Sequence, residues 1–234
     1  MQNQTRYTLS VKGGIIVSDL VLRNICYRYP KTRQMVLHEI NATFREGTVT
    51  SIRGQSGAGK STLLYLIAGI DHPVSGQLLW DNTPVTDLSA YRRNVVSIIS
   101  QSYLLFPTRT VLENVCYPLH LKKHPHNEAA EEAKQLLQSV GIDKKLYDRL
   151  PEKLSGGEQQ RVAIARCLAT NSKIIAADEP TGNLDEENTQ IIVKLLQRLA
   201  HKNKKTVIVV THDPAVAQMA DKQLQLAAGN LIDE

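Results

Sequence analysis

GQSGAGKST (residues 54–62) follows the short apolar run VTSIR (49–53) and leads into STLLYLIAG (61–69), and these pieces in this order decide the fold. The stretch matches G-x-x-x-x-G-K-[ST] through Gly54, Gly59, Lys60 and Ser61. A buried-type strand that breaks into a glycine-rich turn and then a helix is a cradle for phosphate. Gly54, Gly57 and Gly59 let successive N–H groups turn toward phosphate oxygens, with Gln55, Ser56 and Ala58 between them. The helix that starts near Lys60 aims the positive end of its dipole at the same anion. Lys60 brings a mobile charge for the β and γ phosphates. The Ser61 hydroxyl can ligate Mg²⁺, and Thr62 completes the run.

The apolar run KIIAADEP (173–180) ends in Asp178 and Glu179. A carboxylate at the carboxyl end of a parallel strand, beside a phosphate loop, can hold Mg²⁺ through its water shell, and Asp178 suits that task. Glu179 can orient or deprotonate an attacking water. Ala176 and Ala177, just ahead of the acids, predict close packing against a neighbour that the sequence does not identify. Farther out, residues 19–45 read as strands interrupted at 30–34, and GQLLWD and NVVSIIS read as two more. From about 101 to 170 the pattern turns helical, with several helix-breaking prolines. VLENVCYPLHL, NEAAEEAKQLLQSV and GEQQRVAIARCLA are its helices, and Asn127 is placed to cap the second. Strand and helix then alternate through TVIVVT and DPAVAQMA to a hairpin around Gly229 and Asn230. That is an α/β pattern with a parallel sheet.

Composition bounds the rest. The chain has 234 residues, enough for one sizeable α/β domain. Its net charge of +5 fits either a phosphate-rich partner or a solvated surface with a modest surplus. The basic stretches 122–126 and 201–205 lack the interleaved aromatics of a base-stacking surface, so no nucleic acid is expected. Cys26, Cys116 and Cys167 form no C-x-x-C pair and are odd in number, which favours buried thiols over disulfides or zinc. MQNQTRYTLS has no apolar signal core, and no apolar run approaches the roughly 18 residues of a membrane span.

LSGGEQQR (154–161), lying between the phosphate loop and the acidic strand end, resembles the signature of ABC ATPases. The resemblance runs from about 19 to 234, leaving 1–18 as an N-terminal extension. It implies a P-loop NTPase core with a parallel sheet, an N-terminal antiparallel β subdomain and an α-helical subdomain inserted at about 101–170. It implies that Ser155, Gly156 and Gly157, with Glu158 and Gln159, meet the ATP held by a second copy, making a homodimer with two composite sites. By the same resemblance Gln101 touches Mg²⁺ and the water at the hinge of the insertion. Asp185 in TGNLD is the acid of the loop after the acidic strand, His212 in VVTHD contacts the γ-phosphate, and Tyr29, before Tyr27, stacks on adenine. Lys60, Gln101, Glu179 and His212 are then the catalytic set, and Ser61, Gln101 and Asp178 hold the metal.

The phrases DEPTGNLD and LLYLIAGIDHPVSG are similar to the lipoprotein-release, macrolide-export and cell-division subgroup. This implies an ATPase peripheral on the inner face of the cell membrane, driving an integral-membrane permease in export. Two other roles fit the family: an ATP-switched adaptor of a cell-envelope or cell-division complex, and a non-transport ATPase acting on nucleic acid. Residues 104–115 read either as the permease contact or as ordinary packing within the insertion.

Overall fold

The computed structural model describes the backbone of Val11–Lys12 and Ile15–Ile16, and residues 18–122 and 124–233 in full. Most of the expected extension therefore lies outside the described residues. What is described of it is an antiparallel pair, β1 (Val11–Lys12) with β2 (Ile15–Ile16).

Alternating apolar residues build the first sheet. β3 (Leu20–Tyr27) buries Leu20, Leu22, Ile25 and Tyr27, and β4 (Leu37–Phe44) buries Leu37, Ile40 and Phe44. With β6 (Ser75–Trp80) and β7 (Thr83–Pro84) they form an antiparallel sheet in the order β4-β3-β6-β7. The two-residue rhythm of β3 slips near Asn24, whose backbone is left-handed and where the pairing with both neighbours shifts register. The slip corrects one expectation: Cys26 is only part-buried, its Sγ accepting a hydrogen bond from the Glu39 amide at 3.3 Å, whereas Cys116 and Cys167 are buried.

The second sheet is parallel. β5 (Val49–Arg53) lies between β10 (Thr206–Val210) and β11 (Lys222–Ala227), and β9 (Ile174–Asp178) lies between β10 and β8 (Val96–Ser100). β12 (Asn230–Asp233) returns antiparallel along one edge. Both faces are apolar, as covered parallel strands require. In β9, Ile174 and Ala176 join the core shared with the antiparallel sheet, while Ile175 and Ala177 join the core under the helices. This answers the alanine pair. Ala176 lies in the core with Leu63, Leu64 and Ile67 of α1 (Lys60–Ile67), the helix packed between the two sheets and against β9. A larger residue at 176 would push α1 away.

α2 (Leu88–Asn94) precedes β8. Between β8 and β9 come α3 (Val111–Leu121), α4 (His126–Ser139) and α5 (Gly156–Ala169), with 3-10 turns at Lys144–Leu146 and Pro151–Lys153. α6 (Glu186–His201) covers the far face of the sheet, and α7 (Pro214–Gln218) follows β10. One detail of the helical layer differs from expectation. α4 starts one residue earlier than Asn127, after Pro125 and without a side-chain cap. α3 covers the residues read as its helix, VLENVCYPLHL, and runs on through Pro118. There Asn114, one turn earlier, puts its side chain to work: it donates to the carbonyls of Phe106, Arg109 and Thr110 and accepts from the Phe106 amide at 2.8 Å.

Candidate functional site

β5 ends at Arg53 and the chain turns through residues 54–59 before α1 begins. Gly57 and Gly59 have positive φ, 79° and 97°, so they are turn glycines as expected. Gly54 has a different reason. A Cβ there would sit 2.4 Å from the Leu226 carbonyl oxygen, so the side chain is excluded by the backbone of β11. Gly59 caps α1 without any side-chain hydrogen bond, and no acid stands in the first turn. The N–H groups at this end face no competing acid from the helix's own first turn. Gln55, Ser56 and Gly57 are exposed around it, and Lys60 holds the loop in shape by donating to the carbonyls of Gly54 (2.9 Å) and Gln55 (3.0 Å).

β9 delivers the acids to the same edge. The Ser61 hydroxyl donates to Asp178 Oδ1 at 3.3 Å. Burial pushes the Asp178 carboxyl above the usual range. The Ser61 hydrogen bond opposes this, Glu179 adds to it, and Lys60 opposes it more weakly. Glu179 has a left-handed backbone, φ 45°, and its amide donates to Val210 O at 2.9 Å, which turns its side chain across to the end of β10. There Oε1 lies 2.8 Å from His212 Nδ1 and Oε2 accepts from the His212 amide at 3.3 Å. Glu179 is largely shielded while the His212 ring is mostly exposed.

Tyr29 and Tyr27 flank the loop and meet edge to face at 5.2 Å. Tyr27 is buried and its hydroxyl donates to Asp71, so its ring has no free face. Tyr29 is about half exposed, and its hydroxyl lies 2.6 Å from that of Thr62, which ties the ring to the first turn of α1. Thr62 is thus buried and occupied by Tyr29.

The other expected residues form a second group. Ser155 caps α5: its hydroxyl accepts from the Glu158 amide at 3.3 Å, and the Glu158 carboxylate accepts from the Ser155 amide at 2.8 Å. Gln159 donates to Leu154 O at 3.1 Å. Asp185 caps α6 by accepting from the Asn188 amide at 2.8 Å, and Asn188 in turn crowds Gly157, where a Cβ would meet Asn188 Oδ1 at 2.0 Å. Gln101 pairs with Asn183: its side chain donates to Asn183 Oδ1 at 3.4 Å and its carbonyl accepts from Asn183 Nδ2 at 3.3 Å. Within one chain, then, Ser61 pairs with Asp178, Glu179 pairs with His212 and Lys60 holds the carbonyls of Gly54 and Gln55, and no hydrogen bond joins residues 155–159 to the phosphate loop among the described residues.

Sequence reasoning missed Asn114, Asn188 and Arg166, whose partners lie in other segments of the chain. The stretch 104–115, left open between a partner contact and internal packing, divides: Leu104 and Phe106 are exposed. Val111 and Val115 are fully buried in the helical core, on the same apolar face of α3 as Leu119. The open apolar surface is a groove of about 430 Å³ lined by Ile98, Leu104, Phe106, Tyr117, Leu121 and Arg166 among others. No helix among the described residues is long and apolar enough to cross a membrane.

Known proteins resemble this chain in sequence and fold. The sequence profile described as ABC transporter matches residues 37–182. The uncharacterized ABC transporter ATP-binding protein Rv0986 of Mycobacterium tuberculosis is 42% identical over 88% of this chain and 85% of its own length. YclH of Bacillus subtilis, described in the same words, is 39% identical over 92% of this chain and 96% of its own. Among solved structures, the dimeric bacterial ABC transporter cassette MJ0796 superposes with a TM-score of 0.83 at 37% identity, covering 91% of this chain and 96% of that one. A dimeric post-hydrolysis state of the same cassette, bound to ADP and Pi, gives a TM-score of 0.83 at 36% identity, covering 92% of this chain and 98% of that one.

Proposed function

This chain belongs to the ABC transporter family, as an ATP hydrolase of that type, and from that premise we propose that two copies close face to face on MgATP to drive a membrane-embedded permease. The observation that carries the reading is the linked edge of the parallel sheet: Glu179 held by His212 at 2.8 Å, beside Asp178 and Ser61 at the mouth of the uncapped α1. MJ0796, the structural relative, is described both as a dimer and with ADP and Pi bound, which supports the same use here.

The residues fit a hard divalent cation. Ser61 Oγ and Asp178 Oδ1 are adjacent oxygens of the kind Mg²⁺ takes, and a nearby cation would favour the ionised form that burial of Asp178 disfavours. Magnesium, when bound by Ser61 and Asp178, offsets charge on the β and γ phosphates. The chain supplies the rest. The N–H groups of residues 54–59 and the start of α1 bind the triphosphate, and Lys60 leaves its two loop carbonyls for the phosphates. The exposed face of Tyr29 takes the base. Glu179 accepts a proton from the attacking water, and His212 Nδ1 fixes the carboxylate that does so. Water attacks the γ-phosphorus in line and the bond to the β-phosphate oxygen breaks. Ser155, Gly156 and Gly157 of the second copy cover the same γ-phosphate. Loss of phosphate removes the contact that favours the closed pair.

The apolar groove at Leu104 and Phe106 is where we place the permease, and the chain would sit on the inner face of the membrane through it. The subgroup resemblance points to export or extraction of a lipid, lipoprotein, peptide or drug-like substrate. Glu179→Gln keeps the shape of the side chain and one of its two acceptor oxygens but not its basicity. It should hydrolyse ATP at least about 100-fold more slowly and elute as a dimer with MgATP. A variant that stays monomeric on a sizing column at saturating MgATP sinks the composite-site reading.

A further inference from the structure

Tyr29 lies in the loop between β3 and β4, where its carbonyl accepts from the Thr32 amide at 3.2 Å and from the Thr32 hydroxyl at 3.0 Å. Those contacts fix the backbone but leave the ring its side-chain torsions. Packing covers only part of it: the ring is about half exposed, and a cleft of about 520 Å³ is lined by Tyr29, Arg33, Asp71, His72 and Pro73. What holds the ring comes from the two ends of α1. In the first turn of the helix, the Thr62 hydroxyl lies 2.6 Å from that of Tyr29. Beyond the last turn stands Asp71. The helix ends at Ile67, Gly69 turns the chain with φ 67°, and the Ile70 amide closes the end on Tyr65 O at 2.9 Å. Asp71 then accepts from the buried Tyr27 hydroxyl through Oδ2, and Tyr27 meets the Tyr29 ring edge to face. Its other oxygen accepts from the His72 amide at 2.7 Å, which fixes the carboxylate against rotation.

We propose that Asp71 is a positioning residue for the nucleotide base: through the hydroxyl and ring of Tyr27 it holds the Tyr29 ring at the distance from the base that a triphosphate seated on α1 sets. Asp71 itself touches no nucleotide. Its part is to remove, before ATP arrives, ring motion that binding would otherwise have to freeze. A carboxylate is a stronger acceptor than a hydroxyl, so the tie at Tyr27 is firmer than the one at Thr62. Because both ties start from α1, the helix that receives the phosphates also registers the ring that receives the base. This deepens the reading that Tyr29 takes the base and rests on it.

The test is calorimetry on the full chain with two ligands, MgATP and magnesium tripolyphosphate, which carries three phosphates and no base. Tyr29→Ala sets the scale. It should weaken ATP about tenfold, the loss of one stacked base, and leave tripolyphosphate unchanged. Asp71→Ala should weaken ATP about fivefold, again with tripolyphosphate unchanged. Asp71→Asn keeps an acceptor for the phenol and should bind ATP as the unaltered chain does. Tyr27→Phe removes the same tie without stranding a buried hydroxyl, and it stands in for Asp71→Ala should that variant fail to fold. A merely structural contact predicts a lower melting temperature with both ligands bound as before, or both weakened alike. Either result overturns the proposal. If Tyr29→Ala shifts neither ligand, the base reading fails and takes the proposal with it. If Tyr29→Ala weakens ATP alone while Asp71→Ala and Tyr27→Phe do not, only the part given to Asp71 falls.

Discussion

Two helices in this molecule begin at glycines and, in the function proposed, aim at phosphate, yet their first turns are built in opposite ways. α1 starts after Gly59 with no capping side chain and no acid. α5 starts after Ser155 with a complete capping box, and Glu158 stands in its first turn. The peptide dipole is the same in both. What differs is what already occupies it. At α1 an incoming anion meets unclaimed N–H groups. At α5 it must share the helix end with the Glu158 carboxylate and with a serine hydroxyl committed to the Glu158 amide. In the function proposed, α1 would be the holder of nucleotide and α5 the borrower, and the poorer second contact would keep a closed pair from becoming permanent.

That contrast can be broken most severely at Lys60. Lys60→Ala should weaken ATP binding about 100-fold, the cost of losing charge-assisted contacts to two phosphates, while leaving the start of α5 untouched. Affinity near that of the unaltered chain, by calorimetry, would erase the distinction between holder and borrower. Next in size is Gly157→Ala. Its Cβ would collide with an Asn188 side chain that Asp185 and Arg161 both hold in place. The expected loss is about 2 kcal/mol, read as a lower melting temperature without nucleotide. A melting point equal to that of the unaltered chain would mean that α5 is not jammed against α6. The gentlest change sharpens the contrast. Glu158→Gln preserves the capping geometry but removes the charge, an effect of about 0.3–1 kcal/mol at a helix N-terminus. In the Glu179→Gln background the dimer should then form at roughly threefold lower ATP. A requirement for more ATP would reverse the sign of the argument.

The parts of this architecture readable along the chain are those whose cause is local. VTSIR, KIIAAD and TVIVVT became β5, β9 and β10 because continuous apolar runs suit strands covered on both faces. Ser155 was readable as a cap because its partner is three residues away. The errors fall where the cause is distant. Gly54 looked like a turn glycine, but the constraint on it is Leu226, far along the chain. Asn127 had the right chemistry for a cap but lies two residues past the cap position, which Pro125 occupies. Of the site, the phosphate loop and the Asp178–Glu179 pair followed from motif physics. Gln101, Asp185, His212 and Tyr29 followed only from resemblance, since each is a common residue in an ordinary loop until its neighbours are known. Arg166 was invisible in sequence: a helical arginine is usually solvated, and only the left-handed carbonyls of Tyr103 and Leu104 reveal what it grips.

β5, which presents the phosphate loop, has both its partners late in the chain: β10 at 206–210 and β11 at 222–227, the second of which also walls in Gly54. The loop's sequence is therefore synthesised long before its supports. A chain emerging from the ribosome holds all nine residues of GQSGAGKST without either strand partner of β5 until nearly the last strand has been made. Nucleotide, which favours the braced form over the slack one, would act on the finished polypeptide and hardly at all on its precursors, so a chain cut short before Leu226 is released without a working grip on ATP.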